Sequence, residues 1–210
     1  RPGVWVRLMA AKADLLVALC RVDEAQRALK SYERAATEAG DDAEMLRARI
    51  LGAATRRQSG RPEAALLALR EIAAEMPADH MHKASSLLEL ELGRSHLDFG
   101  WATSAADHAQ HALELAERDL DLMGRGAAKL VLAKVARQQG DSSRANSMND
   151  AAEEVLDRDG ERIARIPFRD DEGRFMIDAK HVFHEGLLGV ELVQARVLGR
   201  EEAFKDRHRL

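Results

Sequence analysis

The chain is poor in the residues that cross-link, kink or stack. It holds one cysteine, Cys20, among 210 residues. One cysteine excludes an intrachain disulfide and every paired-thiol metal or redox motif. It leaves the redox compartment open, with the cytoplasm favoured as the expected location. Four prolines leave room for long uninterrupted helices. Aromatics are only 4% of residues, so alanine and leucine must build the core. No run of 18 consecutive apolar residues occurs, and no membrane association is expected. No stretch alternates apolar and polar residues long enough to read as a strand. No secretory signal is visible, and the opening Arg1-Pro2-Gly3, running at once into a helical pattern, reads as a piece of a longer chain.

Chemistry-bearing motifs are scarce as well. Neither phosphate-cradling glycine motif is present, and there is no His-Glu-x-x-His. His108 with His111, and His181 with His184 beside Glu185, are helically spaced but lack a converging third ligand, so they read as surface or packing residues. Asp157-Arg158-Asp159-Gly160 lacks the closing glutamate of a calcium loop. Cys20 reads as a buried turn residue rather than a nucleophile. No catalytic, cofactor-binding or metal-binding residue is expected, and the chain reads as no enzyme. A net charge of −4 gives no general attraction to nucleic acid, and no direct nucleic-acid binding is expected.

What is present is repetition. Gly60, Gly100 and Gly140 stand 40 residues apart, and Cys20 takes the same place one step upstream. Each follows a helical pattern and precedes another. Eight helices are expected: Val4 to Leu19, Glu24 to Thr37, a third capped by Asp41 or Asp42 and running to Ser59, Pro62 to Met76, Asp79 to Phe99, Ala102 to about Leu120, Leu122 to Gln139 and Ser142 to Leu156. Leu8, Leu15, Leu16 and Leu19 mark the apolar side of the first. Seven residues before each turn position stand Ala13, Ala53, Gly93 and Ala133; five after it stand Ala25, Ala65, Ala105 and Ala145. Two columns this small mean that the two helices of each pair approach closely beside the turn. A fixed period of this size indicates an all-α stack of antiparallel helix pairs.

Leu92-Gly93-x-x-His96…Gly100…Ala105…Ala112 resembles the Leu-Gly-x-x-Tyr…Gly…Ala…Ala series of the tetratricopeptide repeat family, with His96 in the Tyr place. Pro77 stands where that family has its terminal proline. The usual period there is about 34 residues; the longer one here is similar to MalT-type regulators and kinesin light chains. The resemblance spans about Val6 to Asp157. It implies a right-handed superhelical solenoid with four regular repeats over 1–158. A charged loop follows at 159–174, then an irregular or truncated fifth pair over 175–210. That last segment opens with a helix, Phe175 to Leu198, apolar nearly all round, which is expected to be covered or to make a homo-oligomer contact.

The resemblance also implies that the first helix of each pair lines a concave groove. Its residues would be Arg7, Ala10, Asp14 and Val17, then Arg47, Ile50, Ala54 and Arg57. Leu87, Leu90, Arg94 and Leu97 follow, then Ala127, Leu130, Lys134 and Arg137. Steps of 3, 4 and 3 put each set on one helical stripe. Six of these side chains are basic and one is acidic, with Glu91 and Asp98 flanking. The expected function is a protein-interaction scaffold that binds a partner peptide or helix. Arg47, Arg57, Arg94, Lys134 and Arg137 would receive acidic groups, and Leu90 and Leu97 would add apolar contact. The alternatives are a sensor or oligomerisation domain of a larger signalling protein, such as a MalT-type transcription regulator, and an accessory domain of an enzyme.

Overall fold

The computed structural model describes residues 2–76 and 83–164. Regular structure among the described residues is entirely helical. The helices are α1 (Pro2–Ala18), α2 (Val22–Ala39), α3 (Asp42–Gln58), α4 (Pro62–Glu75), α5 (Lys83–Asp98), α6 (Ala102–Arg118), α7 (Leu122–Gln138) and α8 (Ser142–Ala164). Each helix packs on the next, and α1 also touches α3, α3 touches α5, and α5 touches α7. The odd-numbered helices therefore follow one another in a row.

The turns show why the chain folds back where it does. Cys20, Gly60, Gly100 and Gly140 all take left-handed backbone angles, and so do Gly40 and Leu120. At each, the left-handed residue and its successor bond back to carbonyls of the last helical turn. Gly60 N–H reaches Arg57 O and Arg61 N–H reaches Arg56 O; Leu120 and Asp121 do the same to Glu117 and Ala116. These bonds satisfy carbonyls that the helix end leaves open. Left-handed turns thus recur at 20, 40, 60, 100, 120 and 140, a spacing half of that legible in the sequence. Asp41, Asp121 and Asp141 then cap the following helices, each Oδ1 accepting from the backbone N–H three residues on.

The two small columns lie where the helices of a pair meet. Ala13, Ala53, Ala133, Ala25, Ala65, Ala105 and Ala145 are all buried. At Gly93 a Cβ would sit 3.3 Å from Ala105 O and 3.4 Å from Ala109 N, so α5 and α6 touch backbone to backbone. Three apolar clusters fill the stack: one from α1, α2 and α3, one from α3, α4 and α5, and one from α5 to α8. Leu87 borders all three.

Several expectations change. In α1 the core side is Val6, Met9, Ala10, Ala13, Leu16 and Val17, while Leu8, Leu15 and Leu19 are exposed. The helix is apolar nearly all round, so its neighbours, not its pattern, choose the buried face. Cys20 is exposed rather than buried. The expected loop does not begin at 159, because α8 runs through Gly160 to Ala164. A single glycine costs about 1 kcal/mol in a helix, too little to break one flanked by good helix formers. The remainder of that loop, the fifth pair at 175–210 and its oligomer contact lie outside the described residues, as does the expected helix start at Asp79.

Candidate interaction surface

The row of odd helices carries the expected stripe, but its apolar members point into the stack. Ile50, Ala54, Leu90, Leu97, Ala127 and Leu130 are buried. Leu90 and Leu97 pack with α6 and α7 residues in one cluster. They form a floor beneath the surface rather than part of it.

The polar members make two ion networks that tie one odd helix to the next. In the first, Arg47 of α3 reaches back to Asp14 of α1, with Nη2 2.7 Å from Oδ2. Its other arm lies 3.5 Å from the Tyr32 hydroxyl, which donates to Glu44. Burial raises the Asp14 carboxyl above its usual range, and Arg47 pulls against that shift. Burial also raises the Tyr32 hydroxyl, and its bond to Glu44 adds to the rise. Burial opposes the charge on Arg47, yet Asp14 and Tyr32 outweigh it and hold the guanidinium protonated.

In the second network Glu91 of α5 is the centre. Its side chain is 3% exposed, with Arg94 2.5 Å away on one side and Arg57 of α3 3.5 Å away on the other. Arg57 also lies 3.4 Å from Asp98, whose side chain is 39% exposed. Two guanidinium groups and two carboxylates leave no net charge here. Arg47 is likewise matched by Asp14 and Glu44. Three of the six basic members of the expected stripe, Arg47, Arg57 and Arg94, are therefore matched by carboxylates. Lys134 and Arg137 stand half-buried on α7. No carboxylate pairs with Arg137 among the described residues.

A repeating contact runs along the row. Gln58 Nε2 donates to Val17 O at 3.1 Å, Arg57 Nη1 donates to Asp98 Oδ2 at 3.4 Å, and Gln138 Nε2 donates to Leu97 O at 3.5 Å. Each joins residues 41 apart, the last turn of one odd helix to the last turn of the next. Asp14 was expected on the groove stripe but not as the partner of Arg47, and Tyr32 and Glu44 were not singled out as members of a site from the sequence.

A third polar group lies between α5 and α6. His108 Nδ1 is 2.7 Å from Glu89 Oε2, and His111 Nδ1 is 3.4 Å from Glu89 Oε1. The buried His96 ring stands edge-on to His108 and Trp101, and Trp101 stacks on Phe99. Burial lowers the His96 pKa, and nearby His108 and Arg70 lower it further. No group of three residues able to hold a metal ion occurs among the described residues, and none of their helices is long and apolar enough to cross a membrane. No protein-family model matches the chain, and no curated protein matches it, so its functional reading rests on the architecture and the surface themselves.

Proposed function

We propose that this chain is a tetratricopeptide-like, right-handed solenoid that binds a segment of another protein along its row of odd helices. The observation that carries the reading is the contact repeated at a 41-residue offset, which joins the odd helices into one continuous wall. A wall built from equivalent positions offers an extended partner the same kind of contact at each step. The partner segment is acidic. Arg137 lacks a carboxylate of its own among the described residues, and Lys134 stands one turn earlier. Further along, Arg57 holds the half-exposed Asp98, which a partner carboxylate can replace. Arg47 and Arg94 set the edges of this track, and Leu90 and Leu97 lie beneath it. An arginine fork holding a carboxylate is worth about 1.5–3 kcal/mol when shielded from water and under about 1 when open to it.

Peptide display on the purified chain tests this. Acidic sequences should be enriched, and the changes Lys134→Glu and Arg137→Glu together should abolish their binding while leaving helicity unchanged. Enriched peptides without acidic residues, or binding untouched by the double change, would show that recognition lies elsewhere on the molecule.

A further inference from the structure

The three joints of the odd-helix row are not tied alike. Gln58 and Gln138 each donate a side-chain amide to a main-chain carbonyl of the odd helix before, at Val17 and Leu97. Asp98 stands in their place at the joint of α3 and α5, 40 residues from each. A carboxylate has no proton to give a carbonyl. It accepts instead from the side chain of Arg57, at 3.4 Å. A main-chain carbonyl is fixed in its helix, and a neutral amide attracts a charged solute weakly. The middle tie is a pair of charged side chains, and an incoming charge can take one from the other.

Arg57 is held in place independently of Asp98. Glu91 occupies the position of Leu51 and Val131, which are buried apolar residues. Arg94 anchors one of its oxygens at 2.5 Å. The other lies 3.5 Å from Arg57 Nε and draws that end of the guanidinium inward. Nη1 meets Asp98, and Nη2 has no partner among the described residues. Both Arg57 distances are longer than a close charge-assisted hydrogen bond. Arginine ties between other helices are tighter, 2.7 Å from Arg47 to Asp14 and 2.6 Å from Arg49 to Glu75. The grip of Asp98 on Arg57 is therefore loose, and the half-exposed Asp98 can be hydrated once released. Glu91 is buried and cannot be. An incoming carboxylate meets a preset donor fork, together with one carboxylate that both occupies it and repels the newcomer.

We infer, on the reading that an acidic segment binds the odd-helix row, that Asp98 is a built-in competitor for that segment. It occupies Arg57 in the free chain, must be displaced before a partner carboxylate binds there, and then remains beside the ligand as a like charge. Fluorescence anisotropy with a labelled hexa-aspartate peptide, at one fixed salt concentration, tests this on the whole chain. Asp98→Asn should bind the peptide roughly 5-fold more tightly than the parent, the scale of one part-exposed ion pair. Arg57→Lys keeps the charge that faces Glu91 and loses the fork. Added to Asp98→Asn, it should remove most of the gain. Asp107→Asn, which deletes an equal charge at an exposed position of α6, should leave affinity as it was. Binding by Asp98→Asn with none by the parent would be the same result in stronger form. Affinity unchanged or weakened by Asp98→Asn overturns the inference, because Asp98 then helps to position Arg57. So does a gain that survives Arg57→Lys or is matched by Asp107→Asn, which would be a general effect of charge. No binding by either the parent or Asp98→Asn overturns both this inference and the acidic-segment reading. A gain that depends on Arg57 but ignores Lys134→Glu with Arg137→Glu upholds the competitor and overturns the longer track alone.

Discussion

Cys20 and Leu120 hold left-handed backbone angles, φ 53° and 55°, at places where Gly60, Gly100 and Gly140 do so freely. A side chain there costs about 1–2 kcal/mol through the clash of Cβ with the backbone. Part of that is offset because glycine gives the unfolded chain more freedom. Cys20→Gly and Leu120→Gly should each raise stability by about 0.5–1 kcal/mol, read as a higher denaturant midpoint with an unchanged slope; a lower midpoint would mean that the side chain makes a contact worth more than the strain. His96 acts in the opposite direction as pH falls. Its folded pKa lies below the ordinary 6.5, because burial, His108 and Arg70 all disfavour its charge. The unfolded chain takes up a proton first, so this contribution is complete above pH 6.5 and is lost as pH falls through the folded value. Urea midpoints should therefore drop between about pH 7.5 and about pH 5.5, and His96→Phe should flatten that drop. Equal slopes for the parent and the variant would remove His96 as the cause.

At the scale of elements, α5 and α6 are held together by the absence of a side chain. The space beside Gly93 is bounded by the Ala105 carbonyl and the Ala109 amide, which are backbone atoms and cannot swing aside. A methyl there requires a shift of a few tenths of an ångström, partly repaid by the better helix propensity of alanine. A larger group must part the helices. Gly93→Ala should thus change stability little, whereas Gly93→Leu should lose about 1–3 kcal/mol, the usual penalty of overpacking. Thermal unfolding of the two variants side by side checks this, and a Leu variant as stable as the parent would show that the hairpin opens easily. His108 lies beside the same space, its Cβ 3.5 Å from the built methyl. The Leu variant should therefore also disturb the bond from His108 to Glu89.

Across the whole molecule the helices are joined by neighbour contacts, without a single central core. Leu87 is the exception, since it packs against each of the three apolar clusters. Removing it weakens all three junctions at once. Leu87→Ala should cost about 2 kcal/mol, near the lower end for a leucine because the site is half-buried. It should also broaden the denaturant transition as the two ends of the stack begin to unfold separately. Hydrogen exchange followed helix by helix would report this; uniform loss of protection from α1 to α8 would show that the stack still unfolds as one unit.

The turns, the eight helices and the close approach of α5 to α6 were legible in the residues. A left-handed glycine, an aspartate cap and an alanine column act over one or two helical turns, and their chemistry is local. The break at Leu120 was expected, but its left-handed backbone was not, because its residue type opposes that angle. Asp98 was expected to flank the basic stripe, but its direct pairing with Arg57 was hidden because it spans 41 residues. Leu90 and Leu97 share that stripe by spacing, yet neighbouring helices cover them. The face of α1 was the hardest to read. That helix is apolar on nearly every side, so periodicity cannot choose among its faces. Its own sequence determined only that it would be a buried helix; the positions of α2 and α3 decided that Leu16 is inside and Leu8 and Leu15 are out.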